Sequence, residues 1–316
     1  MTTLDVVIPT FNRAPLLRRT LDSLLAADPP AAMSFAVTVC DNRSTDDTRA
    51  VVAEYQPRFA GRLHYVYETV PGRSAALNAG IAATTADLVA MIDDDEEVDR
   101  TWLRCIERAF QDPATDFIGG PYVPRWTVQP PQWLPPGYGS VIGRVDSGSE
   151  VRQYGPGFDG MLMGGNAVIR RALLTRVGPY RTDLGRSPTR LLSCEDDDMF
   201  QRLLAAGARG FYRPDLIIHH YVAPERVSKS YFRRWCYWRG VSLGILDRKR
   251  PQRVAYVFGI PRYMCGRALR ALASSATALR LLPAQRFEHE LALWDLFGFV
   301  HGRHFASAGP PETARR

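Results

Sequence analysis

The sequence has 316 residues, of which 46% are hydrophobic, and a formal net charge of +7 at pH 7. This length and hydrophobic content are enough to bury one large α/β core and a smaller appendage. Its five cysteines are odd in number and scattered, without the paired spacing of a metal site, so we expect reduced thiols. The N-terminus leads directly into a strand, and no stretch reaches the roughly 18 unbroken apolar residues of a spanning helix, so we expect a cytoplasmic protein, soluble or peripheral at the inner face of the membrane.

The first part of the chain alternates predicted strands and helices. Leu4 to Thr10 forms an apolar strand, and Asn12 to Leu25 carries leucines at helical spacing. Phe35 to Cys40 forms a second strand that ends on Asp41, and turn and N-cap residues lead from there into a second helix. Ligands of open α/β sheets bind outside the carboxyl ends of the strands, so we expect the side chains after both strands to gather at one edge.

A loop at Pro71 to Gly80 opens a helix of small residues, and the strand that follows it ends in clustered carboxylates. Leu88 to Ile92 is wholly apolar, and Asp93 to Asp95 come directly after it. Such a run is typical of a buried strand in a parallel sheet. Asp93 and Asp95 can share a hard divalent cation and leave its other positions to water and substrate phosphates. The alternative is that these acids only begin a helix, whose dipole favours them there.

Three later segments carry further candidate groups. Met161 to Ile169 is a glycine-rich bend that enters a strand, where the backbone either borders a ligand or makes a simple turn. The acids of Cys194 to Asp198 stand at the start of a helix. Arg213 to His220 is predicted to be one further strand that closes the site.

Six motifs resemble, in their order, a known enzyme family. They are VVIPTFNR (Val6 to Arg13), CDNRSTDDT (Cys40 to Thr48), GRSAALNAG (Gly72 to Gly80), MIDDDEEV (Met91 to Val98), GGNAVIRR (Gly164 to Arg171) and CEDDDMFQRLLAAG (Cys194 to Gly207). Over about two-thirds of the chain they resemble the inverting family 2 glycosyltransferases with the GT-A fold.

That resemblance implies an α/β fold, with a single Rossmann-like nucleotide-binding mixed sheet flanked by helices and a C-terminal helical extension. It implies a GT-A catalytic domain at residues 1–225, with a nucleotide-binding half at 1–100 and an acceptor-binding half at 101–225. Residues 226–316 would form the helical, basic-aromatic extension.

The resemblance also implies roles for individual residues. Asp93 and Asp95 would hold Mn²⁺ or Mg²⁺, and His220 would be a further ligand or a structural histidine. Asp196 would be the base that deprotonates the acceptor hydroxyl, and Glu195 would position donor or acceptor. The residues implied to bind the nucleotide-sugar are Pro9, Thr10, Phe11, Arg13, Asp41, Arg73, Asn78, Asp93, Asp94, Gly165 and Asn166.

Several of these positions have a second interpretation. Phe11 lies near the base by resemblance, or it is an ordinary core aromatic. Asp41 accepts the imide N–H of a pyrimidine, which favours uracil or thymine, or it caps a helix. Arg43 stands where many relatives have glycine. Asp197 and Asp198 are expected to be solvated acids in the first turn of their helix.

The function implied is a metal-dependent inverting glycosyltransferase. It would move a sugar from a nucleotide-diphosphate donor, a UDP-sugar by preference and a dTDP-sugar as second choice, to a hydroxyl of a glycan or lipid-linked saccharide. A nucleotidyltransferase would also use paired acids and a metal, but it should carry a glycine-rich, lysine-bearing loop near the N-terminus, unlike VVIPTFNR. A non-catalytic nucleotide- or carbohydrate-binding module would not need Asp196.

Two segments fall outside these motifs. Arg226 to Arg253 contains nine lysine or arginine residues and one acid, interleaved with aromatic residues. This pattern favours binding to an anionic membrane, through Arg233, Arg234 and Arg239, or to a phosphate-bearing acceptor. A solvated helix is the alternative, and no nucleic-acid motif accompanies the segment. The proline-rich stretch Pro121 to Tyr138 is predicted to be an acceptor-facing loop, whose aromatic rings either stack on sugars or pack on the protein.

Overall fold

The structure, a computed structural model, describes residues 1–186, 190–275 and 282–306. The chain forms two compact units. The first comprises Met1–Arg125, Arg144–Thr182 and Glu195–Tyr221, and the second comprises Trp126–Gly143, Asp183–Cys194 and Val222–Arg316. Residues 276–281 and 307–316 of the predicted C-terminal extension lie outside the described residues.

Strands and helices alternate from β1 to β4 in the first unit, and strands predominate after that. Its strands are β1 (Thr2–Thr10), β2 (Met33–Asp41), β3 (Leu63–Tyr67), β4 (Leu88–Met91), β5 (Glu96–Val98), β6 (Phe117–Gly119), β7 (Tyr122–Trp126), β8 (Arg152–Gln153), β9 (Ala167–Arg170), β10 (Gly210–Tyr212) and β11 (Ile218–Val222). Its helices are α1 (Ala14–Ala26), α2 (Thr48–Tyr55), α3 (Arg73–Ala83), α4 (Trp102–Ala109), α5 (Arg171–Val177) and α6 (Glu195–Ala205).

Eight of these strands form one mixed sheet in the order β3-β2-β1-β4-β9-β6-β10-β8. β1 pairs in parallel with β2 and with β4, and β9 runs antiparallel to both β4 and β6. A smaller sheet has the order β5-β11-β7. The predicted mixed α/β sheet with flanking helices is therefore confirmed.

The central strands are apolar on both faces of the sheet. In β4, Leu88 and Ala90 belong to one buried cluster, and Val89 and Met91 belong to the other. Alternate residues of a strand point to opposite faces, so a strand covered on both sides must be apolar throughout. This is why the run before the acids shows no alternation of apolar and polar residues.

One predicted strand is wrong in its extent. The segment Arg213 to His220 is not continuous, because β10 ends at Tyr212 and β11 begins at Ile218. Between them Leu216 donates its backbone N–H to the Arg213 carbonyl at 3.1 Å, which closes a turn. The two strands belong to different sheets, and this turn carries the chain from one to the other.

The second unit is largely helical. It contains α7 (Lys229–Lys249), α8 (Arg262–Ser275), α9 (Pro283–His304) and a hairpin of β12 (Tyr256–Val257) and β13 (Ile260–Pro261). No helix among the described residues is both long and apolar enough to cross a membrane.

The aromatic rings of the predicted acceptor-facing stretch pack within this unit. Trp133 meets the rings of Phe232 and Phe287 edge-on, with centroids 5.4 and 5.1 Å away, and Tyr138 is buried in the same cluster. The structure therefore favours the packing alternative for these two rings.

Two of the three arginines predicted to contact lipid are paired inside the second unit. Arg233 of α7 lies 2.5 Å from Glu290 of α9, and Arg239 forms an ion pair with Asp295, whose side chain is buried. These pairs join α7 to α9. Both guanidinium groups are thus held by acids of the same unit, and the lipid contact of Arg233 and Arg239 stays a prediction.

Candidate active site

The acidic turn after β4 is anchored to the carboxyl end of β1. Thr10 donates its hydroxyl hydrogen to Asp94 Oδ2 at 2.8 Å, and Thr20 of α1 donates to the Asp94 carbonyl at 3.0 Å. The pairing of β1 with β4 ends at Val7. Pro9 lies beyond it, so the N–H that proline lacks is not needed for a hydrogen bond to β4. The register pairs Thr10 with Asp41, so the ends of β1, β2 and β4 meet at one edge.

Asp93, Asp95 and Glu96 form a cluster of candidate metal ligands. One carboxylate oxygen from each lies within 4.8 Å of the other two. Glu96 Oε2 also accepts the backbone N–H of Asp93 at 2.7 Å, which folds the turn back on itself. The sequence interpretation missed Glu96. Its signal is the alternation in β5, where Glu96 and Val98 are buried while Glu97 is partly exposed.

The chemistry of this cluster fits a hard divalent cation. Burial raises the pKa of Glu96, and the neighbouring Asp93 and Asp95 raise it further. Burial also raises the pKa of Asp94 to about 6, although Arg13 opposes that change. A cation relieves such crowding of buried carboxylates, and Mg²⁺ and Mn²⁺ prefer oxygen ligands.

His220 lies beside the cluster. It stands opposite Glu96 in the antiparallel pairing of β11 with β5, and its Nε2 is 3.8 Å from Asp95 Oδ2. That nitrogen is not part of the group of ligand atoms that the three carboxylates form. Its role as a metal ligand stays a prediction.

Arg13 contacts the same acidic turn. Its Nη1 lies 3.0 Å from Asp94 Oδ1 and 2.9 Å from Asp95 Oδ2. A planar guanidinium that is held at this point is also well placed to meet the phosphates of a nucleotide. The structure therefore brings this predicted nucleotide-binding residue to the cluster of candidate metal ligands.

Arg73, the first residue of α3, connects that cluster to the acids of α6. Its Nε lies 2.8 Å from Asp93 Oδ1, and its Nη1 lies 3.2 Å from Glu195 Oε1 and 3.3 Å from Asp196 Oδ1. Burial lowers the pKa of this guanidinium, but the surrounding carboxylates raise it well above its ordinary value, so the group stays charged. One partly buried cation thus contacts both acidic groups.

The acids of α6 differ in their surroundings. Glu195 is buried, whereas the side chain of Asp196 keeps 24% of its surface exposed, which leaves it open to an acceptor. Asp198 is buried and lies 2.8 Å from Arg202 and 3.7 Å from Arg181. The expectation that Asp198 is a solvated acid is therefore wrong, because its charge is compensated within the fold.

Gly164 and Gly165 lie where side chains would displace these acids. An added Cβ on Gly164 would stand 1.9 Å from Asp196 Oδ1, and one on Gly165 would stand 2.5 Å from Glu96 Oε1. The absence of a Cβ lets each carboxylate rest against the backbone. The bend therefore borders the two acids, and contact of Gly165 with the sugar stays a prediction.

Gly164→Ala is expected to lower the rate of the predicted sugar transfer at least about tenfold, because the new methyl group forces the Asp196 carboxylate out of position. Initial rates at saturating donor measure the effect. Gly266→Ala is the matched control, since the nearest atom to its added Cβ would be Arg270 Nη1 at 3.8 Å. Unchanged transfer in the Gly164 variant would show that the position of Asp196 does not matter.

Phe11 and Asp41, which are predicted to contact the nucleoside, lie directly after β1 and at the end of β2. Phe11 is 39% exposed directly after β1, which contradicts the alternative that it is a core aromatic. Asp41 is buried, and its two oxygens accept the Ser44 N–H and the Tyr65 hydroxyl, each at 2.7 Å. Each oxygen has a further lone pair for an imide N–H. Arg43 has a φ of +71°, so it adopts the backbone conformation that glycine favours.

Two predicted nucleotide-sugar residues belong to the scaffold. Asn78 exchanges hydrogen bonds with the backbone N–H and C=O of Tyr180, both at 2.8 Å. Asn166 is fully buried, donates to the Leu216 carbonyl at 2.7 Å and accepts from the Trp102 indole at 3.1 Å. Asn166 has no exposed surface, which corrects its predicted contact with the donor.

Comparisons with known proteins agree with this geometry. A family model described as "Glycosyl transferase family 2" matches residues 5–178. The succinoglycan biosynthesis protein ExoM of Rhizobium meliloti (strain 1021) is 27% identical over 244 residues, a match that covers 77% of this chain and 74% of ExoM. A glucosyl-dolichyl phosphate glucuronosyltransferase of Haloferax volcanii is 25% identical over 188 residues, covering 57% of this chain and 58% of that protein.

Solved structures share the fold. The mannosyltransferase PcManGT from Pyrobaculum calidifontis, in complex with GDP-Man and Mn²⁺, aligns with a TM-score of 0.62 and 20% identity over 95% of this chain and 86% of that chain. TarS 1-349 from S. aureus, in complex with UDP-GlcNAc, aligns with a TM-score of 0.52 and 17% identity over 77% of this chain and 66% of that chain. At these identities the likeness establishes the architecture.

Proposed function

The chain belongs to glycosyl transferase family 2 and is a glycosyltransferase with the GT-A fold, and from this premise we propose its reaction. The enzyme moves a sugar from a nucleotide-sugar donor to a hydroxyl of a glycan or lipid-linked saccharide. The preferred donor is a UDP-sugar, and the second choice is a dTDP-sugar. Transfer requires a divalent cation and inverts the configuration at the anomeric carbon.

The observation that carries this proposal is the placement of two acidic groups around one arginine. Asp93 and Asp196 lie 2.8 and 3.3 Å from nitrogens of Arg73. The cluster at Asp93 suits the phosphates of the donor, and Asp196 suits the acceptor hydroxyl. A sugar between them would have its leaving group on one side and the attacking oxygen on the other, as a single displacement with inversion needs.

Each residue has a definite task in this reaction. Asp196 takes the proton of the acceptor hydroxyl while that oxygen forms a bond to the anomeric carbon and the bond from this carbon to the diphosphate oxygen breaks. Arg73 and Arg13 bind the negative oxygens of the diphosphate. A cation held by Asp93, Asp95 and Glu96 would offset the charge of the leaving diphosphate.

The preference for a uracil or thymine nucleotide rests on Asp41 and Phe11. A carboxylate accepts the imide N–H of either base, and the exposed Phe11 ring offers a stacking surface. PcManGT was solved with GDP-Man and TarS with UDP-GlcNAc, so structures of this architecture hold different bases. The donor of this chain must therefore be identified directly.

A thermal-shift panel of UDP, dTDP, GDP and ADP, each with and without Mn²⁺ or Mg²⁺, tests the donor class. We expect UDP with a cation to give the largest rise in melting temperature, because a ligand at about 100 times its dissociation constant stabilises the folded state by about 2.7 kcal/mol. A larger shift with GDP would reject the proposed base specificity. Equal shifts without a cation would reject metal-dependent binding.

Product analysis separates sugar transfer from the nucleotidyltransferase alternative. Sugar transfer from a UDP-sugar releases UDP, whereas transfer of the nucleotidyl group from the same donor releases a sugar 1-phosphate. Incubation with UDP-sugars and an acceptor mixture should release UDP in step with a new glycoside. Release of sugar 1-phosphate instead would overturn the proposed function.

A further inference from the structure

The hairpin of the second unit ends in an exposed aromatic ring held in a strained backbone conformation. Phe258 and Gly259 form its two-residue tip, with φ values of +49° and +74°. The Phe258 side chain is 94% exposed. Two-residue hairpins with positive φ at both tip positions favour Asn-Gly, because a bulky residue is strained there.

The backbone of Phe258 is therefore strained, and the exposed side chain provides little packing energy to offset that strain. A residue other than glycine is strained in the left-handed region, and an aromatic ring offsets that strain only where it is buried. This ring contacts too little of its own chain to be buried. Within the described residues the ring therefore gains almost no packing, and contact with a partner would supply it.

Further exposed apolar side chains lie on the hairpin segment and on α8. Arg262 donates its backbone N–H to the Ala255 carbonyl at 2.8 Å, which ties the first turn of α8 to the hairpin. α8 buries Met264, Ala268 and Ala271 and leaves its leucines to solvent. The exposed residues, here termed the hairpin–α8 surface, are Val254, Val257, Phe258, Tyr263, Leu269 and Leu272.

The charge of this region identifies the chemistry of the partner. In the sequence, residues 248–287 contain nine lysine or arginine residues and neither aspartate nor glutamate. The basic residues around the hairpin and on the outer side of α8 are exposed, among them Arg250, Arg253, Arg262 and Arg270. Asp247, which accepts the Tyr256 hydroxyl, is buried, and of the nine cations Lys249 is paired with Asp183 at 3.0 Å. Exposed apolar side chains among the remaining cations match the interface of an anionic bilayer, where rings enter the acyl boundary and cations meet head groups.

We propose that the hairpin–α8 surface docks this enzyme on anionic lipid bilayers, with Phe258 inserted at the acyl boundary. Docking uses the second unit alone and goes beyond sugar transfer, so donor chemistry does not depend on it. It also moves the membrane contact away from the arginines of α7, two of which are paired within their unit.

The test is co-sedimentation of the full chain with vesicles of phosphatidylcholine alone and of phosphatidylcholine with phosphatidylserine. We expect binding to the anionic vesicles, weakened at high salt because the Debye length falls from about 30 Å at 0.01 M to about 8 Å at 0.15 M. Phe258→Asn should weaken that binding at least about tenfold, since the ring no longer leaves water.

Phe258→Asn also distinguishes docking from a structural role. Asparagine tolerates positive φ, so the melting temperature of this variant should stay unchanged or rise. Phe297→Asn removes another exposed ring, from α9, and should leave vesicle binding intact. Hydrolysis of the donor should be unchanged in both variants.

Several outcomes would overturn the proposal. They are absence of binding to anionic vesicles at low salt, equal binding to neutral vesicles, and an equal loss of binding in the Phe258 and Phe297 variants. A dimer in sedimentation velocity that Phe258→Asn converts to a monomer, without vesicle binding, would assign the surface to a second copy of the chain. None of these outcomes bears on the nucleotide panel, so docking and sugar transfer fail separately.

Discussion

Asp196→Asn is expected to lower the rate of sugar transfer by about 10²- to 10⁴-fold, the usual contribution of a positioned general base. The amide keeps the shape of the carboxylate but cannot take the proton of the acceptor hydroxyl. Donor binding should persist, because the proposed nucleotide contacts lie on the Asp93 side of Arg73. Rates at saturating donor and acceptor, with donor affinity measured separately, decide between a loss of chemistry and a loss of binding.

Asp197→Asn is the matched control, with the same chemical change one residue further along α6. It should retain most of the activity, since in the described structure Gly164 and Arg73 border Asp196. Near-normal transfer in Asp196→Asn would move the base to another residue. Glu195, which lies 3.2 Å from Arg73 Nη1, would be tested next as Glu195→Gln.

Asp95→Asn is expected to abolish metal-dependent nucleotide binding and to lower transfer by about 10³-fold. A cation at the leaving diphosphate stabilises the transition state by several kcal/mol, and about 1.4 kcal/mol corresponds to a factor of ten in rate. The fold should survive, because the strand that carries the turn keeps its apolar core. Titration of UDP with and without Mn²⁺ measures the loss.

Glu97→Gln serves as the control for this site. Glu97 is the neighbour of Glu96 on β5, but it pairs with Arg19 and Arg125 at 2.5 and 2.9 Å. This variant should keep its response to Mn²⁺, whereas Glu96→Gln should weaken it. Asp95→Asn with an unchanged Mn²⁺-dependent affinity for UDP would refute the metal site.

The main architecture could be predicted because its determinants are local. The apolar run of β4 and the acids after it are adjacent in the sequence, and the parallel pairing of β1 with β2 brings Thr10 next to Asp41. Residues that follow neighbouring parallel strands must meet at one edge. Composition and spacing therefore led to the correct edge of the sheet.

The contacts that complete the site could not be predicted in this way. Arg73 meets Asp196 across 123 positions of sequence, and Gly164 lies against the same carboxylate from a different segment. Such contacts depend on how elements pack, which no local pattern encodes. Glu96 is an intermediate case, since a three-residue strand is too short for its alternation to stand out.

Buried surroundings also changed the interpretation of single residues. Asp198 and Asn166 occur in motifs whose polar residues were expected to face solvent or a ligand, yet both are buried and bonded within the protein. Conversely, Phe11 is apolar but exposed. The type of a residue sets the cost of burying it, and the packed environment decides whether it is buried.

The position of Arg73 has a thermodynamic consequence for the two substrates. A diphosphate that draws this guanidinium toward itself alters the charge around Asp196. Binding of the donor would therefore change the affinity for the acceptor. The effect must be reciprocal: the factor by which donor changes acceptor affinity equals the factor by which acceptor changes donor affinity. Paired titrations measure that factor, and a value of one would show that the shared arginine leaves the two substrates independent. If the factor raises affinity, the two substrates bind cooperatively, and if it lowers affinity, each substrate weakens the binding of the other.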